Sequence, residues 1–307
     1  MRIAVTGSTG LIGSALVRSL LADGHEVVRL VRHRTRAGRQ PDGTVGVGWN
    51  PHRMQIDRAG LDGVEAVVNL AGAGVGDHRW TDSYRQEVRD SRVLGTETIA
   101  AAIAEAKEPP RVLVNASAVG YYGQTGDRII DEDAPAGDDF LARVCVEWEA
   151  AARPAEDAGI RVAYARTGLV LSAKGGAGGR LFPLFRLGLG GRLGSGEQYW
   201  AVISLADEVA ALRFLIDRPE LSGPFNLTGP EPVTNRELTE AMGRVLRRPT
   251  PFPVPEPVLR LALGEMAVEV CGSHRVLPRR LLDAGFRFRH PDADSAVRAA
   301  LERQPGA

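Results

Sequence analysis

The sequence predicts an α/β protein built on a doubly wound parallel sheet of about seven strands, with a small, mainly helical substrate lobe near the C-terminus. Three observations lead to this class. Short apolar runs alternate with helical patterns over the first two-thirds of the chain, a glycine-rich turn follows the first run, and the pattern changes after residue 170. Nearly continuous apolar strands separated by helices are typical of parallel sheets that helices cover on both faces.

The predicted elements follow this alternation in order. Strands are predicted over residues 2–5, 26–30, 66–70, 112–115 and 162–166. Apolar residues recur at helical spacing over 11–21 and 96–106, and again over 205–216 and 235–246. Glycines at 175–179 and 188–196 predict mobile loop rather than core, and residues 258–284 are predicted to be helical. We therefore expect a dinucleotide-binding domain over 1–170, to which 197–228 return, and a substrate lobe over 171–196 and 229–307.

Composition limits the classes of partner. The chain has 307 residues, 44% of them hydrophobic and 25% charged, and its formal net charge is zero. These values are typical of a soluble globular protein, and they give no reason to expect nucleic acid or an anionic membrane as a partner. Cys145 and Cys271 are far apart, and the six histidines show no ligand spacing. We expect no metal site, no disulfide framework and a reducing, cytoplasmic location.

The strongest motif is a glycine-rich turn between the first predicted strand and the first predicted helix. Gly7 permits a tight turn, Gly10 lets the backbone approach a pyrophosphate, and Gly13 allows close packing of helix on strand. The helix N-terminus would present free N–H groups to the phosphates. The predicted cofactor contacts here also include Ser8, Thr9, Leu11 and Ile12.

The end of the second strand indicates which dinucleotide is bound. An NAD site carries an acidic residue there, which holds the ribose 2′-hydroxyl. This sequence has Arg32, His33 and Arg34 instead, followed by Arg36. A guanidinium suits a 2′-phosphate, so the predicted cofactor is NADP(H), with Arg32 and Arg34 as the phosphate ligands. The alternative interpretation is that these arginines belong to a solvated loop of an arginine-rich chain and bind no phosphate.

These motifs resemble those of the extended short-chain dehydrogenase/reductase superfamily, whose Rossmann-like fold binds a nicotinamide cofactor. The resemblance implies further cofactor contacts at three places. They are Leu70, Ala71 and Gly72 after the fourth family strand, Ala116 at the end of the fifth, and Arg166, Thr167 and Gly168 after the sixth. Ser117 stands where the family carries its catalytic serine.

More narrowly, the chain resembles an atypical epimerase-like subgroup, sometimes labelled cell-division-inhibitor-like. The similarity rests on short motifs along the chain: Arg79-Trp80-Thr81, Asp90-Ser91-Arg92-Val93, Ser117 to Gly123, Trp148-Glu149, and Pro278 to Phe286.

The acid/base pair of the superfamily is missing. Family members carry a Tyr-x-x-x-Lys pair on one helix face, where the lysine lowers the pKa of the tyrosine. The residues four before Lys107 and Lys174 are not tyrosines. In the stretch that matches the family helix, Leu141 stands in the tyrosine position and Cys145 in the cofactor-contacting lysine position.

Four residues are candidates for the missing proton transfer. Ser117 at a strand end would hydrogen-bond a substrate carbonyl, and Tyr121 or Tyr122 would donate a proton. Core or lid packing is the alternative for the two tyrosines. Cys145 is a thiol acid in one interpretation and a simple core residue in the other.

Four further residues are candidates for substrate contact. Arg79 and Trp80 follow the fourth family strand, and their alternative is a surface helix start with Thr81 as N-cap. Arg180 and Arg192 bracket the glycine-rich segment, where they would clamp an anionic substrate.

The leading hypothesis is an NADP(H)-dependent oxidoreductase that acts on a small carbonyl or alcohol, with Ser117 and Tyr121 or Tyr122 in the proton-transfer role. The second is a non-catalytic NADP(H)-binding sensor or assembly factor, and the third is a sugar-nucleotide epimerase. A homodimer is an expectation by analogy with extended relatives.

Overall fold

The computed structural model describes residues 1–32 and 37–302 and alternates strands with helices as the sequence predicts. The strands are β1 (Arg2–Val5), β2 (Glu26–Val31), β3 (Gly38–Arg39), β4 (Val45–Asn50), β5 (Gln55–Ile56), β6 (Ala66–Asn69), β7 (Val112–Ala118), β8 (Arg161–Thr167), β9 (Leu169–Leu171), β10 (Tyr199–Trp200), β11 (Val202–Ser204), β12 (Gly223–Leu227) and β13 (Val233–Thr234). The α-helices are α1 (Leu11–Ala22), α2 (Asp82–Ala104), α3 (Phe140–Ala150), α4 (Arg153–Asp157), α5 (Gly176–Arg186), α6 (Leu205–Asp217), α7 (Asn235–Leu246), α8 (Glu256–Leu263), α9 (Ala267–Cys271), α10 (Arg279–Asp283) and α11 (Ala293–Leu301).

The main sheet is mostly parallel. Within the described residues its strand order is β12-β8-β7-β6-β1-β2-β4-β3, and β5 pairs with β4 outside this path. In register, Ile3 of β1 lies opposite Val27 of β2 on one side and Ala66 of β6 on the other. The chain builds outward from β1 through β2 to β4, then crosses back to β6, β7 and β8. The strand order therefore reverses beside β1, and the predicted fold class is confirmed.

Eight of the described strands are not among the five predicted from the sequence, and β4 and β12 are the longest of these eight. β4 alternates valine with glycine, and β12 contains a proline, so neither has the apolar run that predicts a buried strand. The five predicted strands are present, with ends that differ by at most three residues.

Helix α2 is longer than its predicted apolar core, because its first turns are polar and charged. Thr81 caps it, and the Thr81 hydroxyl accepts a hydrogen bond from the Tyr84 N–H. The N-cap at Thr81, given above as the alternative to substrate contact by Arg79 and Trp80, is therefore present. Asp82 in the first turn complements the helix dipole.

The described chain divides into two compact units. The first comprises residues 1–117, 143–165 and 212–224, and the second comprises 118–142, 166–211 and 225–307. One core cluster of the first unit lies between the sheet and helices α2 and α4, and it contains Val67, Leu113, Ile99, Ile103 and Ala155, all at most 1% exposed.

The second unit has its own core around Phe182, Leu238 and Val297, which come from α5, α7 and α11. Its two small sheets pair β9 with β11 in parallel and β10 with β13 antiparallel. The prediction of loop over residues 175–179 is wrong, since α5 begins at Gly176. A Cβ at Gly178 would lie closer than 3.0 Å to the backbone of Ser172, so this glycine serves close packing rather than flexibility.

The helical prediction for residues 258–284 is confirmed only in pieces. Helices α8 and α9 are joined by a 3₁₀ turn, and an extended segment follows Gly272 before α10 begins at Arg279. Further along, Asp207 is fully buried and accepts hydrogen bonds from the backbone N–H groups of Arg289 (2.9 Å) and His290 (3.0 Å). This carboxylate anchors the C-terminal segment to the start of α6.

None of the helices in residues 1–32 and 37–302 combines the length and apolar character that a bilayer crossing requires.

Candidate functional site

A cavity of about 420 Å³ opens at the carboxyl ends of β1, β2 and β6 in the first unit. Parallel sheets bind ligands at this edge, next to the point where the strand order reverses. Eight residues predicted to bind the cofactor line it: Gly7, Ser8, Thr9, Gly10, Arg32, Leu70, Ala71 and Gly72.

The glycine-rich turn forms the floor of the cavity. Gly7 has a φ of +59°, and a Cβ there would lie 2.6 Å from the carbonyl oxygen of Leu70. A Cβ at Gly13 would lie closer than 3.0 Å to the carbonyl of Gly7. Gly13 therefore lets α1 pack directly against the turn, while Leu11 and Ile12 form the first turn of that helix without lining the cavity.

The N-terminus of α1 is uncapped at this cavity. Gly10 is the N-cap residue, no side chain caps the helix, and its first turn contains no acidic residue. The free backbone N–H groups and the positive end of the helix dipole suit an anion. A dinucleotide pyrophosphate fits this arrangement.

Thr6 holds the turn in place. Its hydroxyl accepts hydrogen bonds from the N–H groups of Leu70 (2.9 Å) and Ala71 (3.0 Å) and donates one to Asn69 (2.7 Å). The Asn69 amide in turn donates to Asn115 at 2.7 Å. This buried polar network joins the ends of β1 and β6 to the middle of β7.

Arg32 follows β2 at the cavity wall and forms no ion pair within the described part of the chain. Arg34 lies outside the described residues. Sequence reasoning missed eight of the lining residues. Leu30, Val31 and Ala73 adjoin predicted contacts, and the other five lie on the unpredicted β4, after it, or on the polar start of α2: Trp49, Pro51, His52, Glu87 and Ser91.

Ser117 lies near the end of β7, and its hydroxyl donates a 2.7 Å hydrogen bond to Oε1 of Glu149 on α3. Ser117 is 3% exposed. Glu149 was noted in the sequence only as part of a motif, and a carboxylate within hydrogen-bonding distance of a candidate catalytic hydroxyl is the arrangement of an acid/base pair. Ser117, Ala116 and Cys145 are all buried in the first unit, and none of them lines the cavity.

The two tyrosines lie in the second unit and have different environments. Tyr122 is buried, and its hydroxyl donates to Asn226 (2.6 Å) and accepts from Arg166 (3.0 Å). Burial raises the pKa of Tyr122 to about 12. Tyr121 is only partly buried, and the Arg166 guanidinium lies 3.5 Å from the centre of its ring. Arg166 thus supports both rings.

Thr167 and Gly168 continue from Arg166 in the second unit. The Thr167 hydroxyl donates to Glu208 (2.9 Å), whose other carboxylate oxygen is buried with no hydrogen-bond partner among the described residues. Burial raises the pKa of Glu208 to about 8. Gly168 packs directly against the backbone of Ala201.

The four predicted substrate contacts lie in different places. In the first unit, Arg79 is exposed, and the Trp80 indole donates to the carbonyl of Val75 at 2.9 Å. In the second unit, Arg180 on α5 and Arg192 in the following loop are both exposed.

The strand order reverses beside β1, and a glycine-rich turn, an uncapped helix N-terminus and a cavity lie at this place. These features define a Rossmann-type nucleotide-binding protein. The chain belongs to the NAD dependent epimerase/dehydratase family, whose model matches residues 3–228. The resemblance to an epimerase-like member of the extended short-chain dehydrogenase/reductase superfamily is therefore confirmed. Residues 254–300 match a second model, described as a domain of unknown function (DUF1731).

Relatives match along nearly the whole chain. An epimerase family protein of Mycobacterium bovis is 50% identical over 305 residues, which cover 99% of this chain and 98% of the relative. The crystal structure of human epimerase family protein SDR39U1 with NADPH superposes with a TM-score of 0.88 at 34% identity, covering 98% of this chain and 99% of that one. The structure of a nucleoside-diphosphate sugar epimerase from Corynebacterium glutamicum has a TM-score of 0.79 at 34% identity, covering 98% of this chain and 58% of that one.

Proposed function

We propose that this protein is an NADP(H)-dependent oxidoreductase that interconverts a small carbonyl compound and the corresponding alcohol. One observation carries the cofactor part of the proposal. The cavity combines an uncapped helix N-terminus with Arg32, a cation that has no ion-pair partner among the described residues. The human relative solved with NADPH, at 34% identity, supports the same cofactor.

Each part of the cavity suits one part of the dinucleotide. The N–H groups at the start of α1 would hold the pyrophosphate, and Arg32 would hold the 2′-phosphate. Glu87 on the cavity wall only accepts hydrogen bonds when ionised, so it suits a ribose hydroxyl or the adenine amine. When bound, the nicotinamide supplies or accepts the hydride.

The protein's own chemical task is to move one proton, and Ser117 with Glu149 suits this task. In the oxidation direction, the substrate hydroxyl proton moves to Oγ of Ser117 while the Ser117 proton moves to Oε1 of Glu149. In the reduction direction the same protons move in reverse, so that the carbonyl oxygen gains its proton from Ser117. The 2.7 Å hydrogen bond supports this relay, because proton transfer requires donor and acceptor in direct contact.

Of the two tyrosines, Tyr121 suits a contact with substrate better than Tyr122. The raised pKa of Tyr122 and its two hydrogen bonds favour a structural role. Tyr121 keeps part of its surface open and has the Arg166 cation against its ring.

A sensor or assembly factor is the second candidate, and the sequence of α3 favours it. Leu141 and Cys145 occupy the positions of the family's tyrosine and lysine, so the inherited acid/base is absent from this helix. A sugar-nucleotide epimerase is the third candidate, because one relative is an epimerase family protein and one similar structure is that of a nucleoside-diphosphate sugar epimerase.

One experiment separates the first two candidates. Protein saturated with NADPH is mixed with a panel of small aldehydes and ketones, and oxidation of the reduced nicotinamide is followed by absorbance. Turnover of at least one compound, reduced at least tenfold in Ser117→Ala, supports the enzyme. Tight NADPH binding without turnover of any compound, together with partner capture that differs between NADPH and NADP⁺, supports the sensor.

A further inference from the structure

Glu269 and His274 form a close pair of ionisable side chains in the second unit. Glu269 lies on α9, and His274 lies on the extended segment that follows Gly272. Nε2 of His274 and Oε2 of Glu269 are 3.9 Å apart, which is too far for a hydrogen bond. One nitrogen or oxygen atom at about 2.8 Å from each would bridge this distance. The Glu269 side chain is 20% exposed, so a solute can reach it.

The ring of His274 is enclosed and lacks a hydrogen bond. His274 is 9% exposed, and neither of its ring nitrogens has a hydrogen-bond partner among residues 1–32 and 37–302. Burial lowers the pKa of His274, so the ring is neutral at pH 7. With its proton on Nδ1, the imidazole turns the lone pair of Nε2 toward the Glu269 carboxylate. Two acceptors that face each other in this way need a donor between them.

The pair carries negative charge without a counter-charge. Burial and the nearby Asp139 carboxylate raise the pKa of Glu269 to about 7, and the Asp139 charge also acts on His274. In the part of the chain that the structure describes, neither Glu269 nor Asp139 pairs with an arginine or a lysine. Two carboxylates that repel each other away from bulk water are stabilised by a cation. A positively charged ligand with N–H donors meets both requirements.

The pair lies beside the turn that follows the two tyrosines. The N–H of Ser273 donates to Oε1 of Gln124 at 2.8 Å, and the N–H of Arg275 donates to the Thr125 hydroxyl at 3.0 Å. The residues on both sides of His274 are therefore bound to this turn.

Asp139 is held against the same turn. Gly123 has a φ of +60°, and a Cβ there would lie 3.0 Å from Oδ2 of Asp139. Asp139 directly precedes α3, and its Oδ1 accepts a 2.8 Å hydrogen bond from the N–H of Ala142. Leu141, two residues after Asp139, occupies the position of the family's tyrosine. The pair, on which the Asp139 charge acts, therefore lies near the helix start where the family carries its acid/base.

We propose that Glu269 and His274 form a subsite for the protonated amino group of a substrate. One N–H of the ammonium group donates to the Glu269 carboxylate and another to Nε2 of His274, while Asp139 adds attraction at longer range. A metal ion suits the place less well, because no three His, Cys, Asp or Glu side chains of the described residues are placed to hold one. The substrates are then small amino alcohols and the matching amino carbonyl compounds. This class rests on the proposed function, whereas the binding of an amine does not.

The test compares n-propylamine, which is protonated at pH 8, with n-propanol, which has nearly the same shape and no charge. Calorimetric titrations of the full-length protein are made at constant ionic strength and at pH 8, where Glu269 is mostly ionised. Glu269→Gln removes the charge and keeps the shape of the side chain. Asp138→Asn is the matched control, because it removes a charge from an exposed neighbour of Asp139. Thermal melting establishes folding, and His274→Leu, which removes the acceptor, replaces Glu269→Gln if that variant does not fold.

Two results are expected. The wild type should bind propylamine saturably and propanol not at all, with an affinity for propylamine that falls at least tenfold in Glu269→Gln and is unchanged in Asp138→Asn. With NADP⁺, the wild type should oxidise 1-amino-2-propanol with a kcat/KM at least tenfold above that for 1,2-propanediol, and Glu269→Gln should remove this preference.

The subsite and the proposed function can fail separately. Absence of propylamine binding, equal affinity for propanol, or equal binding by the wild type and Glu269→Gln would overturn the subsite, even if the protein turns over neutral compounds. Propylamine binding that Glu269→Gln abolishes, in a protein that oxidises or reduces no compound, would support the subsite and refute the proposed function. Propylamine binding together with equal turnover of the amino alcohol and the diol would overturn the assignment of the substrate class.

Discussion

The Ser117 hydroxyl lies 2.7 Å from the Glu149 carboxylate, and this polar contact joins strand β7 to helix α3 in the first unit. Glu149→Gln keeps a hydrogen-bond acceptor but cannot accept a proton. We expect kcat to fall by about a hundredfold, the size typical of lost general acid/base catalysis, with the Kd for NADPH unchanged. Steady-state kinetics and calorimetry measure the two quantities.

Glu147→Gln is the matched control, since Glu147 lies on the same helix and pairs with Arg89. Equal kcat losses in Glu147→Gln and Glu149→Gln would show that the Ser117–Glu149 contact is structural.

The charge of Arg32 should set the choice of dinucleotide. Arg32→Asp places an anion where the 2′-phosphate is expected, and we expect the Kd for NADPH to rise at least tenfold while the Kd for NADH does not rise. Calorimetric titration of both dinucleotides tests this. Arg39→Asp makes the same charge change at an exposed position of β3 and should leave the preference intact. An unaltered NADPH preference in Arg32→Asp would place the 2′-phosphate elsewhere.

Gly13→Ala should destabilise the protein, although alanine normally stabilises a helix relative to glycine. Alanine inside a helix is favoured over glycine by about 1 kcal/mol. At Gly13 the added Cβ would collide with the Gly7 carbonyl, so we expect a net loss of about 1–3 kcal/mol and weaker NADPH binding. Thermal denaturation measures the loss. Gly48→Ala is the control, because nothing lies within 4 Å of its Cβ. A Gly13→Ala protein as stable as Gly48→Ala would refute the packing argument.

Glu208 should make stability fall as pH rises. Burial raises the pKa of this carboxyl from 4.5 to about 8 in the folded protein. Between these values the folded state keeps a proton that the unfolded state releases, so unfolding becomes more favourable by up to about 1.4 kcal/mol per pH unit. Above pH 8 this effect stops.

Glu208→Gln removes this titration. Melting temperatures from pH 5 to 8 should fall more steeply for the wild type than for the variant. Parallel curves would mean that Glu208 is ionised in the folded protein.

Replacing each of the two neighbouring tyrosines by phenylalanine should change the free energy of unfolding by different amounts. Tyr122→Phe removes a buried hydroxyl that bonds Asn226 and Arg166, and we expect a loss of about 1–3 kcal/mol. Tyr121→Phe should change stability by less than about 0.5 kcal/mol, because its partly exposed ring keeps its contact with Arg166. Urea denaturation compares the two. The reverse order would contradict the structural role assigned to Tyr122.

The parts of the fold that depend on local patterns could be predicted from the sequence. The apolar run of residues 2–5 and the glycines at 7, 10 and 13 establish the first strand, the turn and the helix, because each is a local constraint. Helix α7 is predicted to the residue for the same reason, since its apolar positions follow a helical period and Thr234 and Glu237 form a capping box.

Features that depend on contacts distant in the chain could not be predicted. Strand β4 alternates valine and glycine, and it becomes a strand through pairing with β2, β3 and β5. Helix α5 begins in a glycine cluster whose close packing on Ser172 is invisible in the sequence. Glu149 had no signal beyond membership of a motif, because its significance comes from Ser117, which lies 32 residues away along the chain.

The hydroxyl of Thr6 holds the glycine-rich turn and the residues after β6 in place before any ligand binds. Because Thr6 already holds the N–H groups of Leu70 and Ala71, these segments do not need to become ordered when the cofactor binds. Binding then loses little conformational entropy, and the encounter of cofactor and protein is limited by diffusion and orientation rather than by loop closure. Variants of this turn that differ in cofactor affinity should therefore differ mainly in the dissociation rate of the cofactor.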